Sequence, residues 1–360
     1  MKIVVTGGGT GGHIYPALSI AHQLEEEGVE ELLFVGSQHG PERQLAEQAG
    51  LRFMAVPSGP IAGMSLRTVR SMGRLGLGIV KACSILRKFK PDVLVGTGGY
   101  TSAGVALADW LLGGKIVIHE QNSIPGKTNR MLARLAKKVC VTFEESVQYF
   151  PREKTVVTGL PVRPEIISGK DKHAARESFG LDPEKVTVLV FGGSQGARRV
   201  NEMVLEAVPA LIAAGMQVLH QTGKKNYEDV SSKQPDLPGY VILPYIDDMA
   251  GAYSAADLVV SRSGASSIAE ITACGVPSVL IPFPYAHADH QAKNAEAVAR
   301  AGAAIAVVEK ELTGSALTGI IIELAADKEK LGRMAEASRK LGRPNAALDI
   351  AKIIRDLAAN

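Results

Sequence analysis

The sequence contains two segments in which a buried strand, a glycine-rich turn and a helix follow one another, and each opens one half of the chain. The first has apolar residues 3–5, the turn from Thr6 to His13 and then apolar residues at helical spacing. The second has apolar residues 187–191, glycine-rich residues 192–198 and a helix to about residue 214. Glycines let a ligand approach the backbone, and unpaired amides at a helix start attract anions. Two nucleotide-binding α/β units are therefore predicted.

The order of the remaining elements predicts parallel sheets. Strands alternate with helices in both halves, which is typical of parallel sheets covered by helices. The strands are predicted at residues 31–35, 53–56, 92–97, 115–120, 139–142, 155–158, 218–221, 241–245, 258–261, 279–282 and 306–308. Beyond Thr313 the chain is predicted to be helical, with a break at Pro344. The fold class is α/β, with two Rossmann-like parallel-sheet domains facing each other across a cleft.

Length and local composition predict where the domains meet. A chain of 360 residues exceeds the size at which one core usually keeps growing. Residues 159–164, Gly-Leu-Pro-Val-Arg-Pro, are typical of a linker. We expect domains at residues 1–160 and 161–343, with a helix at about 344–360 packing back on the first domain. The cleft between them is the natural place for an active site.

The composition is that of an ordinary globular protein, with 46% hydrophobic and 21% charged residues. The three cysteines lie far apart without metal-ligand spacing, so reduced thiols are expected. No signal peptide and no apolar run of membrane-spanning length is apparent, which predicts a protein made and kept in the cytosol.

Charge is distributed unevenly, because residues 1–160 carry an excess of basic side chains and residues 161–360 a slight excess of acidic ones. No acidic residue lies between Gln48 and Pro91, where basic residues alternate with apolar ones. This segment fits either an anionic membrane surface or a helix packed on the sheet with a solvated basic face. The pattern alone favours the packed helix. Nucleic-acid binding is disfavoured, because aromatic residues are scarce and no binding motif is present.

Polar residues follow several predicted strands. His119-Glu120-Gln121-Asn122 suits recognition of a sugar or peptide and equally suits turn chemistry. Residues 261–270 follow a strand and open a helix, which predicts a second anion site in this half. Glu270 fits a ribose hydroxyl acceptor, although by itself a carboxylate complementing the helix dipole is the better interpretation.

The sequence does not predict a metal site. His287, Asp289 and His290 follow a proline-rich approach that gives them no defined facing geometry. The amide of Gln291 suits hydrogen bonding to a neutral ligand. The chain contains no Asp-x-Asp, so a diphosphate is expected to be held by helix amides and by a cation such as Arg163 without a divalent ion.

These motifs together resemble glycosyltransferase family 28, and the resemblance runs through nearly the whole chain. It rests on the segments Gly8–His13, Gly98–Tyr100, His119–Asn122, Pro161–Arg163, Gly192–Ala197, Ile246–Met249, Ser261–Ala265 and His290–Gln291. The resemblance implies the two-domain GT-B fold. It also implies transfer of N-acetylglucosamine from UDP-N-acetylglucosamine to undecaprenyl-linked muramyl pentapeptide, in peptidoglycan synthesis, with no cofactor required. One departure is His290, because some relatives carry two consecutive glutamines here.

The resemblance also implies a role for individual residues. The backbone of Ile246 would meet the uracil, Glu270 the ribose and Gln291 the sugar. The diphosphate would be held by Ser194, Ala265, Ser266 and Ser267, with Arg163 approaching from the linker. Donor contacts from the first domain would come from Thr10, Gly11, Gly12 and Asn122.

The implied reaction inverts the anomeric carbon through a transition state with oxocarbenium character. The 4-hydroxyl of N-acetylmuramic acid attacks while uridine diphosphate leaves. His13 is the candidate general base, because imidazole titrates near neutral pH; a structural or acceptor-binding role for it is the alternative.

A lipid-linked acceptor changes the interpretation of the basic segment. Such an acceptor stays in the membrane, so docking of the first domain on the anionic cytoplasmic face of the cell membrane becomes the favoured interpretation. The residues assigned to the acceptor or membrane side are Tyr100, Arg70, Arg74, Leu75, Leu77 and Lys81.

Three other functions remain open on sequence. Gly7, Gly9 and Gly12 match the dinucleotide pattern of a nicotinamide-dependent dehydrogenase, but the second strand ends in Gly36-Ser37 without an acidic partner for a ribose. A sugar-nucleotide epimerase would share the paired-domain fold without a lipid partner. A non-catalytic membrane adaptor is the third.

Overall fold

The computed structural model describes residues 1–59, 66–193 and 195–359, without the side chains of residues 66–72 and His287. The chain forms two compact units. The first comprises Met1–Pro161 together with Asn345–Asn360, and the second comprises Val162–Pro344.

The first unit is built on a parallel sheet of seven strands. They are β1 (Lys2–Thr6), β2 (Glu31–Ser37), β3 (Arg52–Val56), β4 (Val93–Gly96), β5 (Ile116–Glu120), β6 (Lys138–Val141) and β7 (Thr155–Val157). The strand order is β3-β2-β1-β4-β5-β6-β7. β1 therefore lies between β2 and β4, and the turns that follow β1 and β4 emerge side by side at one edge of the sheet.

Helices cover both faces of this sheet, which explains why its central strands are apolar on both sides. They are α1 (Gly11–Glu26), α2 (Glu42–Gln48), α3 (Leu66–Phe89), α4 (Gly99–Leu111), α5 (Lys127–Leu132) and the C-terminal helix (Ala346–Ala359). On one face, Ile20 and Leu24 of α1 pack in one core with Ile350 and Ile354 of the C-terminal helix. The other face carries α3 and α4 over a second core.

The second unit repeats this plan with six parallel strands. They are β8 (Thr187–Phe191), β9 (Gln217–Gln221), β10 (Tyr240–Leu243), β11 (Leu258–Ser261), β12 (Ser278–Leu280) and β13 (Ala304–Ala306), in the order β10-β9-β8-β11-β12-β13. The helices are α6 (Pro164–Ser168), α7 (Lys172–Ser178), α8 (Arg198–Ala213), α9 (Tyr227–Ser231), α10 (Met249–Ala255), α11 (Ala265–Ala273), α12 (His290–Arg300), α13 (Gly314–Ala326) and α14 (Lys328–Leu341). The C-terminal helix is α15.

The predicted α/β class with two parallel-sheet domains is confirmed, and two local predictions are wrong. The last strand, predicted at residues 306–308, lies at Ala304–Ala306, where it pairs with β12, while Val308 lies beyond the strand and is 57% exposed. The helical region after Thr313 also breaks at Asp327. The Asp327 carboxylate accepts a hydrogen bond of 2.8 Å from the Lys330 backbone N–H and so caps a new helix there.

Candidate functional site

The glycine turn after β1 is in backbone contact with the turn after β4. The Gly8 N–H donates to the Gly98 carbonyl at 3.2 Å. Gly99 has a φ of +88°, and a Cβ on it would lie 2.2 Å from the Gly8 carbonyl oxygen. Only glycine satisfies both conditions, since side chains disfavour this φ and no space remains for them. The two turns therefore form one continuous glycine surface at the edge of the sheet.

The start of α1 presents backbone amides at this surface. Thr10 is the N-cap residue, and its carbonyl accepts hydrogen bonds from the His13 and Ile14 N–H groups. The Thr10 side chain makes no capping hydrogen bond, and the first turn contains no acidic residue. The amides of Gly11 and Gly12, together with the helix dipole, therefore favour an anionic ligand at this position.

His13 lies in the first turn of α1, where neighbouring turns fix it. The His13 carbonyl accepts a 2.7 Å hydrogen bond from the Thr97 hydroxyl, and its ring Nδ1 lies 3.0 Å from Gln121 Oε1. Gly98 leaves room for the ring, because a Cβ there would be 3.0 Å from Cε1 and Nδ1 of His13. The predicted base is thus half-buried with a defined ring orientation.

Glu120 organises the loop after β5. Its carboxylate accepts hydrogen bonds from the Asn122 N–H at 2.9 Å, the Gly126 N–H at 3.2 Å and the Asn129 side-chain amide at 2.9 Å. Burial raises the pKa of Glu120 above its ordinary value, although these donors act against the rise. Glu120 therefore has the turn-forming role considered from the sequence, and it fixes the backbone that carries Asn122.

Sequence reasoning missed Thr97, His119 and Gln121 as individual site residues. Gln121 is 2% exposed and its amide nitrogen donates to the Thr97 carbonyl at 2.7 Å, while His119 is fully buried behind it. Gln121 and His119 belong to a motif noted in the sequence, but sequence spacing gives no sign that Gln121 contacts His13, 108 residues away.

The second unit has its own close approach of glycines beside β8. A Cβ on Gly196, whose φ is +74°, would lie 2.1 Å from the Thr222 carbonyl oxygen, and one on Gly223 would lie 2.5 Å from Gly196 Cα. These two glycines bring the turns after β8 and β9 together and so shape the start of α8. Ser194, the diphosphate ligand expected in this turn, lies outside the described residues.

The start of α11 and the start of α12 are joined by hydrogen bonds that are buried or partly buried. The Ser263 hydroxyl donates to the Gln291 carbonyl at 2.8 Å, and the Asn294 amide donates to the Ser263 carbonyl at 3.2 Å. Ala265, Ser266 and Ser267 form the first turn of α11, with Gly264 as an N-cap that has no capping side chain. The predicted diphosphate turn and the predicted sugar ligand Gln291 are therefore neighbours in this unit.

Glu270 points toward two donors from other elements of the second unit. The Tyr253 hydroxyl donates to Glu270 Oε2 at 3.0 Å, and Arg163 Nη2 lies 3.5 Å from Oε1. Burial raises the pKa of Glu270, while the charge of Arg163 and the hydrogen bond from Tyr253 lower it. Arg163 and Glu270, assigned separately to diphosphate and ribose from the sequence, are thus in contact, and Tyr253 is an additional partner that sequence reasoning missed.

Two residues that were predicted to bind the donor substrate already use one of their polar groups in a hydrogen bond within the protein. The Ile246 N–H donates to Gln221 Oε1 at 2.9 Å, so a base meeting this backbone would use the carbonyl. Gln291 Oε1 accepts from the Phe283 N–H at 3.0 Å, which directs the Gln291 amide nitrogen elsewhere as a donor. Both contacts fix the position of the residue that was expected to bind the donor substrate.

Among the residues that the structure describes, no group of His, Cys, Asp and Glu side chains is arranged to hold a metal ion. Asp289 adopts a left-handed backbone with φ of +54°, directly before α12.

The residues expected on the acceptor or membrane side differ in exposure. Tyr100, Arg74, Leu77 and Lys81 are exposed, and Leu77 reaches 66%. Leu75 is half-buried and faces α4, because a Cβ on Gly104 would lie 3.3 Å from Leu75 Cδ1. The Arg70 side chain lies outside the described residues. No helix in the described part of the chain is long and apolar enough to cross a bilayer.

Comparison with known proteins identifies the family. A model of the glycosyltransferase family 28 N-terminal domain matches residues 3–141, and a model of its C-terminal domain matches residues 187–352. The chain belongs to glycosyltransferase family 28. This membership overturns the dehydrogenase interpretation of the glycine turn.

Full-length relatives support the assignment to family 28. The UDP-N-acetylglucosamine--N-acetylmuramyl-(pentapeptide) pyrophosphoryl-undecaprenol N-acetylglucosamine transferase of Moorella thermoacetica is 45% identical, covering 98% of both chains. The crystal structure of Acinetobacter baumannii MurG is similar at 31% identity, with a TM-score of 0.81 over 99% of both chains. The calicheamicin glycosyltransferase CalG4, at 15% identity and a TM-score of 0.75 over 100% of this chain and 98% of its own, shares the fold. The predicted GT-B class of family 28 is thereby confirmed.

Proposed function

We propose that this protein transfers N-acetylglucosamine from UDP-N-acetylglucosamine to N-acetylmuramyl-(pentapeptide) pyrophosphoryl-undecaprenol. The observation that carries the proposal is the 45% identity over 98% of both chains to a family 28 relative with this activity in its name. The site agrees with it, since each unit presents uncapped helix amides beside glycine turns, and such amides bind phosphates. The product is the lipid-linked disaccharide used in peptidoglycan synthesis.

His13 acts as the general base in this proposal. The 4-hydroxyl oxygen of N-acetylmuramic acid forms the new bond to the anomeric carbon, and its proton passes to the His13 imidazole. The bond from the anomeric carbon to the diphosphate oxygen breaks, and the electron pair leaves with uridine diphosphate. Attack opposite to the leaving group inverts the anomeric centre. Preorganised amides stabilise the charge that develops on the diphosphate.

The remaining donor contacts follow the sequence assignments. The uracil is bound at the Ile246 backbone, the ribose at Glu270 and the sugar at Gln291. The diphosphate lies at Ser194 and at residues 265–267, with Arg163 close to the side-chain carboxylate of Glu270. First-unit donor contacts come from Thr10, Gly11, Gly12 and Asn122.

The reaction requires no cofactor or divalent ion in this proposal, because helix amides and Arg163 supply the countercharge for the diphosphate. The protein acts at the cytoplasmic face of the cell membrane, where its lipid-linked acceptor resides. The exposed apolar residues Leu77 and Val80 of α3, flanked by Arg74 and Lys81, form its docking surface.

Release of uridine diphosphate from UDP-N-acetylglucosamine, measured with and without the lipid-linked muramyl pentapeptide, tests the function. We expect release to depend on the acceptor and to persist in a metal chelator. Equal release without the acceptor would contradict the transferase and favour an epimerase or hydrolase. His13→Ala tests the base: turnover should fall about 100-fold or more, while binding of uridine diphosphate is retained.

A further inference from the structure

We propose that Gln121, supported by His119, is a positioning residue that holds neutral His13 in the tautomer with its proton on Nδ1. The lone pair then lies on Nε2, the nitrogen that takes the acceptor proton. This inference rests on the proposed role of His13 as the general base. It adds two residues of the first unit, neither in contact with the reacting atoms, to the catalytic arrangement.

The orientation of the Gln121 amide is fixed by backbone carbonyls. Its Nε2 lies 2.7 Å from the Thr97 carbonyl oxygen and 3.1 Å from the His119 carbonyl oxygen. Carbonyl oxygens only accept hydrogen bonds, so the amide nitrogen must face them. A flipped amide would place its oxygen against two carbonyl oxygens in a site that is 2% exposed. Oε1 of Gln121 therefore faces His13.

This orientation decides the tautomer of His13. Gln121 Oε1 lies 3.0 Å from His13 Nδ1 and can only accept, so Nδ1 carries the hydrogen. In a neutral imidazole the other nitrogen then holds the lone pair. The Thr97 hydroxyl fixes the His13 backbone, and the close approach of Gly98 limits the space around the ring.

His119 completes the chain of donors. Its Nε2 donates to the Gly159 carbonyl oxygen at 2.9 Å, so Nδ1 is the acceptor and receives a hydrogen bond from Gln121 Nε2 at 3.2 Å. Burial, together with the nearby charge of His13, lowers the pKa of His119 to about 4. His119 therefore stays neutral at physiological pH and cannot become a second donor toward Gln121. Hydrogen bonds run in one direction from His13 through Gln121 and His119 to Gly159.

The first test is the tautomer itself, read from ¹⁵N chemical shifts of histidine in the intact protein. In its neutral form, wild-type His13 should show a protonated Nδ1 and an unprotonated Nε2. Gln121→Met removes the acceptor at similar volume and should shift His13 toward the Nε2–H form. A wild-type His13 with Nε2 protonated, or a Gln121→Met protein that retains the Nδ1–H form, would overturn the inference.

Kinetics supply the second test. Gln121→Met should lower kcat about 10- to 100-fold and change its pH profile, with KM for UDP-N-acetylglucosamine unchanged. Gln121→Glu keeps an acceptor oxygen toward His13 and should keep the Nδ1–H form. Its activity should recover only in part, because its second oxygen faces the carbonyl oxygens of Thr97 and His119. The matched control is Gln217→Met, which removes an equally buried amide from the second unit and should leave the His13 spectrum unchanged. Full turnover by His13→Ala would refute the base role separately, while the spectra decide the role of Gln121.

Discussion

In the second unit, the buried phenol of Tyr253 donates a hydrogen bond to the carboxylate of Glu270. Tyr253 is 1% exposed, and its hydroxyl reaches Glu270 at 3.0 Å. Hydrogen bonds to a charged group contribute about 1.5–3 kcal/mol, so this contact has a marked effect on the ionisation of Glu270. Burial already raises the pKa of Glu270, and the Tyr253 hydroxyl limits that rise.

We therefore predict that Tyr253→Phe weakens the binding of uridine diphosphate by about 3- to 30-fold. Without the phenol the pKa of Glu270 rises further, so a smaller fraction of the carboxylate is ionised to accept ribose hydroxyls in its proposed role. The loss should be larger near pH 6 than near pH 8, because the raised pKa matters most at low pH. Calorimetric titration at both pH values measures it.

Tyr240→Phe is the matched control for this prediction. Tyr240 is also buried in the second unit, but its hydroxyl lies 3.0 Å from His220 Nδ1, so nucleotide binding should be unaffected. Equal affinities for wild-type and Tyr253→Phe proteins at both pH values would show that the Tyr253 hydroxyl does not support nucleotide binding through Glu270.

Residue-scale contacts also mark the limit of prediction from the sequence. The sequence singles out His13 because it closes a glycine turn. The predicted ribose role of Glu270 comes from the family resemblance, since the helix start alone favours a carboxylate that complements the helix dipole. The partners of both residues come from distant parts of the chain, since Gln121 is 108 residues from His13 and Arg163 is 107 from Glu270. Such pairings depend on strand order, which local sequence patterns do not contain.

At the scale of elements, α4 carries a buried carboxyl group. Asp109 is 2% exposed, its Oδ2 makes no hydrogen bond among the described residues, and desolvation raises its pKa from 3.8 to about 7. The folded protein therefore binds this proton more tightly than the unfolded chain does. The protonated carboxyl of Asp109 stabilises the folded protein fully below about pH 4, and this stabilisation is lost as the pH rises through about 7.

Asp109→Asn should remove this pH dependence. We expect the free energy of unfolding of the wild type to decrease, relative to Asp109→Asn, by up to about 1.4 kcal/mol per pH unit between about pH 4 and 7. Urea denaturation across this range measures the difference. Glu30→Gln changes an exposed carboxylate of the same unit and should behave as the wild type. Parallel pH curves for wild-type and Asp109→Asn proteins would contradict the raised pKa.

The C-terminal helix α15 contributes to the core of the first unit. Ile350, Ala351 and Ile354 are fully buried beside α1, and Arg355 pairs with Glu27 at 2.8 Å. The lysine side chain of Lys115 donates to the Leu357 carbonyl at 3.1 Å. The helix is therefore an integral layer of the first sheet domain.

Ile354→Ala should destabilise the first unit by about 2–5 kcal/mol, because it leaves a cavity between α15 and the sheet. Urea denaturation should show the loss, while Lys352→Ala, at an exposed position of the same helix, should cost less than about 0.5 kcal/mol. A loss as small as that of the control would mean that α15 is only loosely attached.

Periodicity predicted most of these elements, since parallel strands buried on both faces are continuous apolar runs between glycine turns. Both Thr187–Phe191 and Leu258–Ser261 match the expected bounds. The missed break at Asp327 has a local cause, a capping carboxylate between two helical patterns, that periodicity alone does not reveal.

At the scale of the whole molecule, the proposed docking surface makes a prediction about membranes. Leu77 and Val80 are 66% and 69% exposed on α3, beside basic residues of the same helix. Replacing both by serine should lower binding to vesicles containing anionic lipid by about tenfold or more, because the apolar contribution to insertion is lost. Flotation assays measure the bound fraction, and binding of the wild type should fall with added salt.

Val308→Ser is the control, since Val308 is 57% exposed in the second unit and should not affect vesicle binding. Two results would show that α3 does not form the docking surface. One is wild-type binding to vesicles that is insensitive to salt, and the other is a double variant that binds vesicles as tightly as the wild type. Catalysis with a soluble acceptor analogue should be unchanged in the double variant.

The return of α15 to the first unit has a consequence for how the protein is synthesised. The second unit is one continuous segment, Val162–Pro344, whereas the first needs Asn345–Asn360 to complete its core. Ribosomes make chains from the N-terminus, and domains generally fold as they emerge. The first unit therefore cannot complete its core until Asn345–Asn360 have been synthesised, after the whole of the second unit. Until then, the face of the first sheet domain that packs against α15 stays uncovered.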